Sequence, residues 1–414
     1  MASFTFLHAA DLHLGSPFQG LSLKDEDLAR RFASASRETF RELVDLALSE
    51  KVAFLVIAGD IYDGEWKDAS IGLFFARELG RLRRAGIEVF LVKGNHDADS
   101  VVTKAITLPD GVHEFPSRSA KSFRIEALEV ALHGRSFADR SVAENLALTY
   151  PQPVPGWFNI GVLHTSCTGR PPHATYAPCT PDELAARGYQ YWALGHVHEH
   201  EVLRRDPPIV YSGNIQGRSI RETGPKGAVL VEVEDGAVTD MRRVIVDKAR
   251  WARVAIDLAV VTDADSAFAR IEQALGEEAE AAEGRLLAVR VELTGETSLH
   301  RRLMGEPQWL RDEIQAAAHR CHEDAWIEDV LTRTREPERA PTDADMGLLD
   351  PAALLAGLEQ DEGLRADARS LIETIMAKLP PLAEDVAPRL GEDLDALMDE
   401  AAALVLGRLD GEGR

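Results

Sequence analysis

Residues 4–13 read FTFLHAADLH, residues 54–63 read FLVIAGDIYD and residues 90–97 read FLVKGNHD. In each, an apolar run too short for a helix ends abruptly in Asp, Asn or His. That is the pattern of a buried strand with polar groups at its C-terminal end. Between these runs apolar residues return at helical spacing. Phe40, Leu43, Val44 and Ala47 predict a helix over Glu38–Ala47, and Leu73, Phe74, Leu79 and Leu82 predict another over Ile71–Arg84. Strand, helix, strand in alternation is an α/β domain.

Working outward, strands are expected over Phe4–Ala9, Val52–Ala58, Ile87–Val92, Ile160–Leu163, Tyr189–Leu194, Ile209–Tyr211, Ala228–Val233 and Met241–Val246. After the third strand the helices thin out and hairpins take over, which predicts mixed rather than wholly parallel sheets. Residues 165–181, TSCTGRPPHATYAPCTP, are proline-rich and aperiodic, so they read as a long functional loop. From Trp251 the pattern changes to a small βαβαβ unit. Its elements are Val254–Leu258, a helix at Ala267–Leu275, Leu286–Leu293, a helix at Trp309–Cys321 and Trp326–Leu331. Beyond Pro341, apolar stripes at Leu354/Leu355/Leu358 and Leu371/Ile375/Leu379 predict amphipathic helices broken at Pro380–Pro381 and Pro388. The expected organisation is therefore an α/β domain over 1–250, a small α+β cap over 251–340 and an acidic helical tail over 341–414.

The chain has 414 residues and a formal net charge of −23, which argues against a general nucleic-acid coat or an anionic-membrane binder. The charge is unevenly spread. Residues 1–250 carry 29 basic and 33 acidic side chains, residues 251–340 carry 11 and 19, and residues 341–414 carry 6 and 17. The first domain is thus nearly balanced and the tail holds almost half of the excess. The longest apolar run, Val52–Ala58, falls far short of the ~20 residues of a membrane span. Asp11 and His13 arrive too early for a secretory leader, so a cytoplasmic protein is expected. Three cysteines, Cys167, Cys179 and Cys321, form no CxxC pair, which excludes a disulfide framework or a zinc ribbon.

The chemistry gathers at the strand ends. Five motifs stand there: Asp11-Leu-His13, Gly59-Asp60, Gly94-Asn95-His96-Asp97, His164, and Gly195-His196-Val-His198. In an open α/β sheet that edge is where loops converge on a ligand. Each motif alone is weak, since a lone His after a strand is more often structural. Together they form a set of oxygen and nitrogen donors that takes five of the 13 histidines. Without thiolates, such donors suit Mn²⁺ or Fe²⁺, with Zn²⁺ also accepted. Seven protein ligands exceed what one ion needs. Two ions ~3.5–4 Å apart are the usual clamp for attack at phosphorus.

DxH, GDxxD from Asp60 to Asp63, GNHD, a mid-chain His and GHxH together resemble the calcineurin-like metallophosphoesterase superfamily, over residues 4 to about 235. Their order and the appended domain look like the SbcD-like DNA repair exonucleases. The run SGNIQGRSIRETGPKG, residues 212–227, is similar to the YhaO branch of that group. The resemblance implies a two-sheet sandwich with flanking helices. It assigns Asp11, His13, Asp60 and His198 to one metal, and Asp60, Asn95, His164 and His196 to the other, so that Asp60 bridges. His96 is expected not to coordinate but to protonate the leaving oxygen or stabilise its charge, with Asp97 orienting its ring. Asp63 is expected outside the ligand set and His200 at the surface. The resemblance also implies a homodimer, an SMC-like ATPase partner and DNA as substrate.

DNA affinity needs clustered cations rather than a basic total. The best candidates are Arg218 and Arg221, because they follow Gly213-Asn214 near the metal edge. Arg81, Arg83 and Arg84 read instead as solvated cations at a helix C-terminus, and Cys167 reads as an inert reduced thiol. A phosphatase or phosphodiesterase of a small phosphoester is the competing reading, since the same metal core serves both. The C-terminal extension favours the nuclease, because a small substrate has little use for a cap and a tail.

Overall fold

The computed structural model describes residues 3–16, 26–63, 69–99, 107–167, 176–259, 261–337 and 361–376, with scattered positions in the tail beyond. The chain divides into two compact units, Met1–Ala252 with Arg285–Ala288, and Arg253–Gly284 with Val289–Arg414.

Among the described residues, the first unit is built on two six-stranded sheets. One runs β12-β11-β1-β2-β3-β4, from β1 (Phe4–Ala9), β2 (Phe54–Ala58), β3 (Glu88–Val92), β4 (Val112–Glu114), β11 (Gly227–Glu234) and β12 (Ala237–Ile245). The other runs β5-β6-β7-β8-β10-β9, from β5 (Lys121–Ile125), β6 (Val130–Gly134), β7 (Phe158–His164), β8 (Tyr191–Gly195), β9 (Glu201–Arg205) and β10 (Pro208–Tyr211). Both are mixed. β1, β2 and β3 are parallel while β11 pairs antiparallel to β1. β6, β7, β8 and β10 are parallel while β5 and β9 are antiparallel edges.

The strands are apolar on both faces because both faces are covered. In β2, Phe54, Val56 and Ala58 point into the space between the sheets, where they meet Phe6, Phe90, Ile160, Val162 and Tyr191. Phe6 stacks on Phe54 at 5.0 Å and meets Tyr191 of the opposite sheet edge-on at 5.2 Å. The alternate residues Leu55 and Ile57 pack outward against Phe40, Leu43, Phe75 and Leu79, which lie on α1 (Glu26–Ser49) and α2 (Ala69–Arg84). On the far side, Trp192 and Leu194 pack with Tyr150 and with Leu184 of α4 (Pro181–Ala185), and Trp192 donates its indole N–H to Leu184 O at 3.0 Å. This is the sandwich with flanking helices that the resemblance implies.

In the second unit, β13 (Ala249–Asp257), β14 (Leu286–Glu296) and β15 (Ala325–Arg335) form a three-stranded sheet. Beside it lie α5 (Ala264–Ala281), α6 (His300–Gly305) and α7 (Pro307–Cys321). Asp263 caps α5 by accepting from Ser266 N at 2.8 Å. Ile271 and Leu275 of α5, and Leu310 and Ile314 of α7, are its buried apolar positions. α8 (Glu362–Met376) follows in the tail. Leu354, Leu379 and the prolines 380, 381 and 388, on which the expected tail stripes and breaks partly rest, lie outside the described residues. No helix of the described residues is long and apolar enough to cross a membrane.

Candidate metal centre

The C-terminal ends of β1, β2, β3, β7 and β8 meet at one edge of the sandwich, and their loops are laced together by backbone bonds. Asp11 N donates to Gly59 O at 3.0 Å, His13 N to Asp60 O at 3.0 Å and Thr165 N to Gly195 O at 3.1 Å. The lacing forces unusual backbone. Asp11 (φ 51), His13 (φ 41), Asp60 (φ 52) and His196 (φ 99) all take left-handed conformations, at roughly 1–3 kcal/mol each for residues other than glycine. Such strain concentrates where side-chain direction matters more than local stability. Gly94 shows how tightly the loops close. A Cβ there would lie 2.2 Å from Asp60 Oδ1 and 2.8 Å from His164 Cε1, so the GNHD turn reaches the site only with a bare backbone.

These ends bring the donors within ligand spacing of one another. His13 Nε2 and His198 Nε2 are 3.2 Å apart, and Asp60 Oδ2 is 3.8 Å from His13 Nε2. On the other flank, His164 Nε2 is 3.0 Å from Asn95 Oδ1 and 3.5 Å from Asp60 Oδ2, and His196 Nδ1 is 3.3 Å from Asn95 Oδ1. Around an ion with ligands at ~2.1 Å, neighbouring donors stand ~3.0–3.4 Å apart. Asp60 Oδ2 belongs to both groups, the position a bridging carboxylate needs. Asp11, His13 and His198 offer ligand atoms within 4.8 Å of one another, as do Asp11, Asp60 and His164, and also His13, Asp60 and His96. All seven expected ligand residues are therefore gathered, and their all-nitrogen-and-oxygen chemistry fits divalent cations.

Hydrogen bonds orient them. The His164 ring donates Nδ1–H to Ala58 O at 2.9 Å, which aims Nε2 at Asp60 and Asn95. Asp11 accepts from His196 N at 3.0 Å with both oxygens. Burial pushes the Asp60 carboxyl up, but His164 and His13 hold it well below the usual carboxylate range. Burial would lower His164, yet Asp60 and Asp11 raise it to about 9. Burial raises Asp11 and drives His13 well below the usual imidazole value. Dehydrated carboxylates beside an imidazole drawn toward protonation mark a place that favours positive charge, which divalent cations supply.

His96 lies beside this group, its ring centroid 4.9 Å from that of His13. Here the structure corrects one expectation. The carboxylate on the His96 ring is Asp63, with Oδ1 at 2.8 Å from Nδ1, rather than Asp97. Asp97 turns back at the start of α3 (Asn95–Asp99) and accepts from the backbone N–H groups of Ile61, Tyr62 and Gly94 at 3.0–3.1 Å. It clamps the GDxxD loop to the GNHD turn. Asp63, expected outside the ligand set, also accepts from Ser16 Oγ at 2.6 Å.

Two further expectations change. His200 is half-buried rather than exposed, with Nδ1 3.0 Å from Tyr211 O. Arg218 does not project to solvent. It lies 3.2 Å from Glu222 and 3.6 Å from Asp63, while Arg221 is exposed. Glu222 is the residue the motifs miss. Its Oε1 is 2.6 Å from His198 Nδ1, and its Oε2 accepts from Asn214 Nδ2 at 2.9 Å. Its signals in sequence are its place within the run 212–227 and the four-residue spacing from Arg218. Burial pushes its pKa up, but Arg218 and His198 hold it well below the carboxylate range. Cys167 is buried. Of the long loop, residues 168–175 lie outside the described residues, and Tyr176 beyond them sets its ring 5.0 Å from that of His196.

Comparison with known proteins finds two family matches. The calcineurin-like phosphoesterase family matches residues 4–200, and the middle domain of metallophosphoesterase YhaO matches residues 251–335. The chain is 32% identical over 413 residues to a protein of Bacillus subtilis (strain 168) named "Uncharacterized metallophosphoesterase YhaO", covering 99% of this chain and 98% of that one. It is 25% identical to a "DNA double-strand break repair protein Mre11" of Sulfurisphaera tokodaii, over 60% of this chain and 64% of that one. It is 24% identical to a protein of the same name in Methanopyrus kandleri, over 93% of this chain and 84% of that one.

Proposed function

The chain belongs to the calcineurin-like metallophosphoesterase family, and from that premise we propose that it is a two-metal phosphodiesterase that cleaves DNA in double-strand-break repair. The observation that carries the reading is the convergence of seven nitrogen and oxygen donor residues with Asp60 at their centre, and His96 held beside them by Asp63. Asp11, His13, Asp60 and His198 would hold one ion, and Asp60, Asn95, His164 and His196 would hold the other, with Mn²⁺ the ion that suits the set best. Two bound divalent ions would supply a water deprotonated near neutral pH and neutralise charge on the phosphate.

The protein's own groups do the rest. Asp63 occupies His96 Nδ1, so Nε2 is the atom that gives a proton to the leaving oxygen as its bond to phosphorus breaks. Gly94 and the left-handed ligand residues keep the donors in place without adjustment during reaction.

DNA as the substrate class is supported by the named role of the Mre11 relatives and by the extra parts beyond the first domain. Several surface arginines are matched by acids: Arg83 with Asp110 at 2.9 Å, Arg204 with Asp182 at 3.0 Å and Arg242 with Glu50 at 2.6 Å. The bound ions would supply the main attraction for phosphate, and Arg221, which is exposed, is the remaining arginine assigned to DNA. Residues 251–340 act as the cap that governs access. The acidic tail over 341–414 docks an SMC-like ATPase subunit, and the assembly is a cytoplasmic homodimer.

The test is hydrolysis in Mn²⁺ of linear DNA, bis-p-nitrophenyl phosphate and p-nitrophenyl phosphate. Cleavage of DNA and the diester with little monoester hydrolysis is expected. Efficient turnover of the monoester alone would favour a small-molecule phosphatase.

A further inference from the structure

The segment over residues 212–227 lies against the metal centre, yet none of its residues belongs to the ligand set. Its contacts converge on His198. Asn214 N donates to His198 O at 3.2 Å, and Glu222 Oε1 accepts the proton of His198 Nδ1 at 2.6 Å. That bond fixes the tautomer and leaves the Nε2 lone pair facing His13. Arg218 closes the arrangement. Its Nη2 lies 3.2 Å from Glu222 Oε1 and its Nη1 lies 3.6 Å from Asp63 Oδ2, with the side chain 18% exposed.

We propose that Arg218 is a positioning residue that ties the carboxylate behind His198 to the carboxylate behind His96, and not a contact for the DNA backbone. One guanidinium then spans two imidazoles with different duties, in the order His198, Glu222, Arg218, Asp63, His96. A fork with charge on both arms can face two carboxylates at once, which a point-charge ammonium cannot. Facing two carboxylates, Arg218 has its charge matched and directed inward. Removing it leaves Glu222 and Asp63 without their shared counter-charge, so both repack and both imidazoles lose their fixed direction.

The inference rests on the two-metal reading, and its test separates the two. Mn²⁺ is titrated calorimetrically into metal-free wild type, Arg218→Ala, Glu222→Gln and the double variant, with kcat and KM measured on bis-p-nitrophenyl phosphate. In Arg218→Ala one ion should bind ~10–100-fold more weakly and kcat should fall with KM unchanged. The double variant should be no worse than Glu222→Gln alone, because the two act as one unit. Free guanidine should restore part of the loss, and Arg218→Lys should fall in between. The salt dependence of DNA binding should keep its slope. A raised KM, a shallower salt slope and unchanged Mn²⁺ affinity would make Arg218 a phosphate contact and overturn the proposal. Nitrogen NMR of the histidines in metal-free protein decides independently of any ion. His198 should be the Nδ1–H tautomer in wild type and mixed in Arg218→Ala, and an unchanged tautomer counts against the proposal. Wild type that binds no Mn²⁺ while the tautomer does shift removes the two-metal reading and leaves the positioning role standing.

Discussion

His96 and Asp97 are neighbours in sequence with separate tasks in space. His96 keeps Nδ1 on Asp63, whereas Asp97 is spent on the backbone of Ile61, Tyr62 and Gly94. His96→Ala should therefore keep both metal equivalents by elemental analysis and lower turnover by ~10²-fold or more. Loss of one equivalent would mean that His96 is a ligand. Asp63→Asn should cost ~10–100-fold in rate with little change in melting temperature, as expected of a group that orients a functional imidazole. Asp97→Asn should do the opposite first, losing ~1.5–3 kcal/mol of stability by denaturant titration, because buried N–H groups lose a charged acceptor. Equal thermal stability of the two variants would contradict this division. The donors that the fold gathers were legible because each stands in a short local string at a strand end. Glu222 was not, since its partner His198 lies 24 positions earlier and only the fold brings them together. Asp97 misled for the opposite reason, because adjacency to His96 says nothing about which way a side chain turns in the first turn of a helix.

The elements that present these residues owe their direction to β2, whose five residues are all buried. Phe54 stacks on Phe6 and meets Phe90 edge-on at 6.0 Å, in the middle of the inter-sheet core. Phe54→Ala should destabilise the first unit by ~3–5 kcal/mol in urea titration. A loss below about 1 kcal/mol would mean that the sheets do not pack there as described. β6, as fully buried as β2, is missed in sequence and β12 begins four residues before its expected start, whereas β1, β2, β3, β7, β8, β10 and β11 were readable to within a residue or two. β4, β5 and β9 were not, because short edge strands carry polar residues and leave little alternation to detect. α1 extends to Glu26, well before the expected start at Glu38. Ser34 and Ser36 interrupt the apolar stripe that Leu28, Phe32 and Ala35 continue, and serine is a weak helix former whose cost burial overrides.

Across the whole molecule, charge and apolar surface both point to the tail. It carries 17 acidic against 6 basic side chains, so it repels DNA and cannot be the part that holds substrate. Yet α8 shows solvent Leu371 at 62%, Leu364 at 42% and Ile375 at 37% exposure. Those side chains do not serve the core of the unit that contains them. An amphipathic helix with an acidic face and an apolar stripe that is exposed among the described residues suits a groove or coiled-coil partner with basic flanks. Removal of everything after Arg339 should therefore leave a folded, metal-loaded enzyme with unchanged kcat on bis-p-nitrophenyl phosphate. The truncated chain should fail to pull down an SMC-like ATPase subunit that the full chain retains, and ATP should no longer stimulate its DNA cleavage. Leu371→Asp in the full chain should reproduce the loss of binding without truncation, because one buried charge in an apolar interface costs several kcal/mol. If the truncated protein aggregates or loses its cooperative melt, the tail belongs to the fold and the exposed stripe is covered by the chain itself.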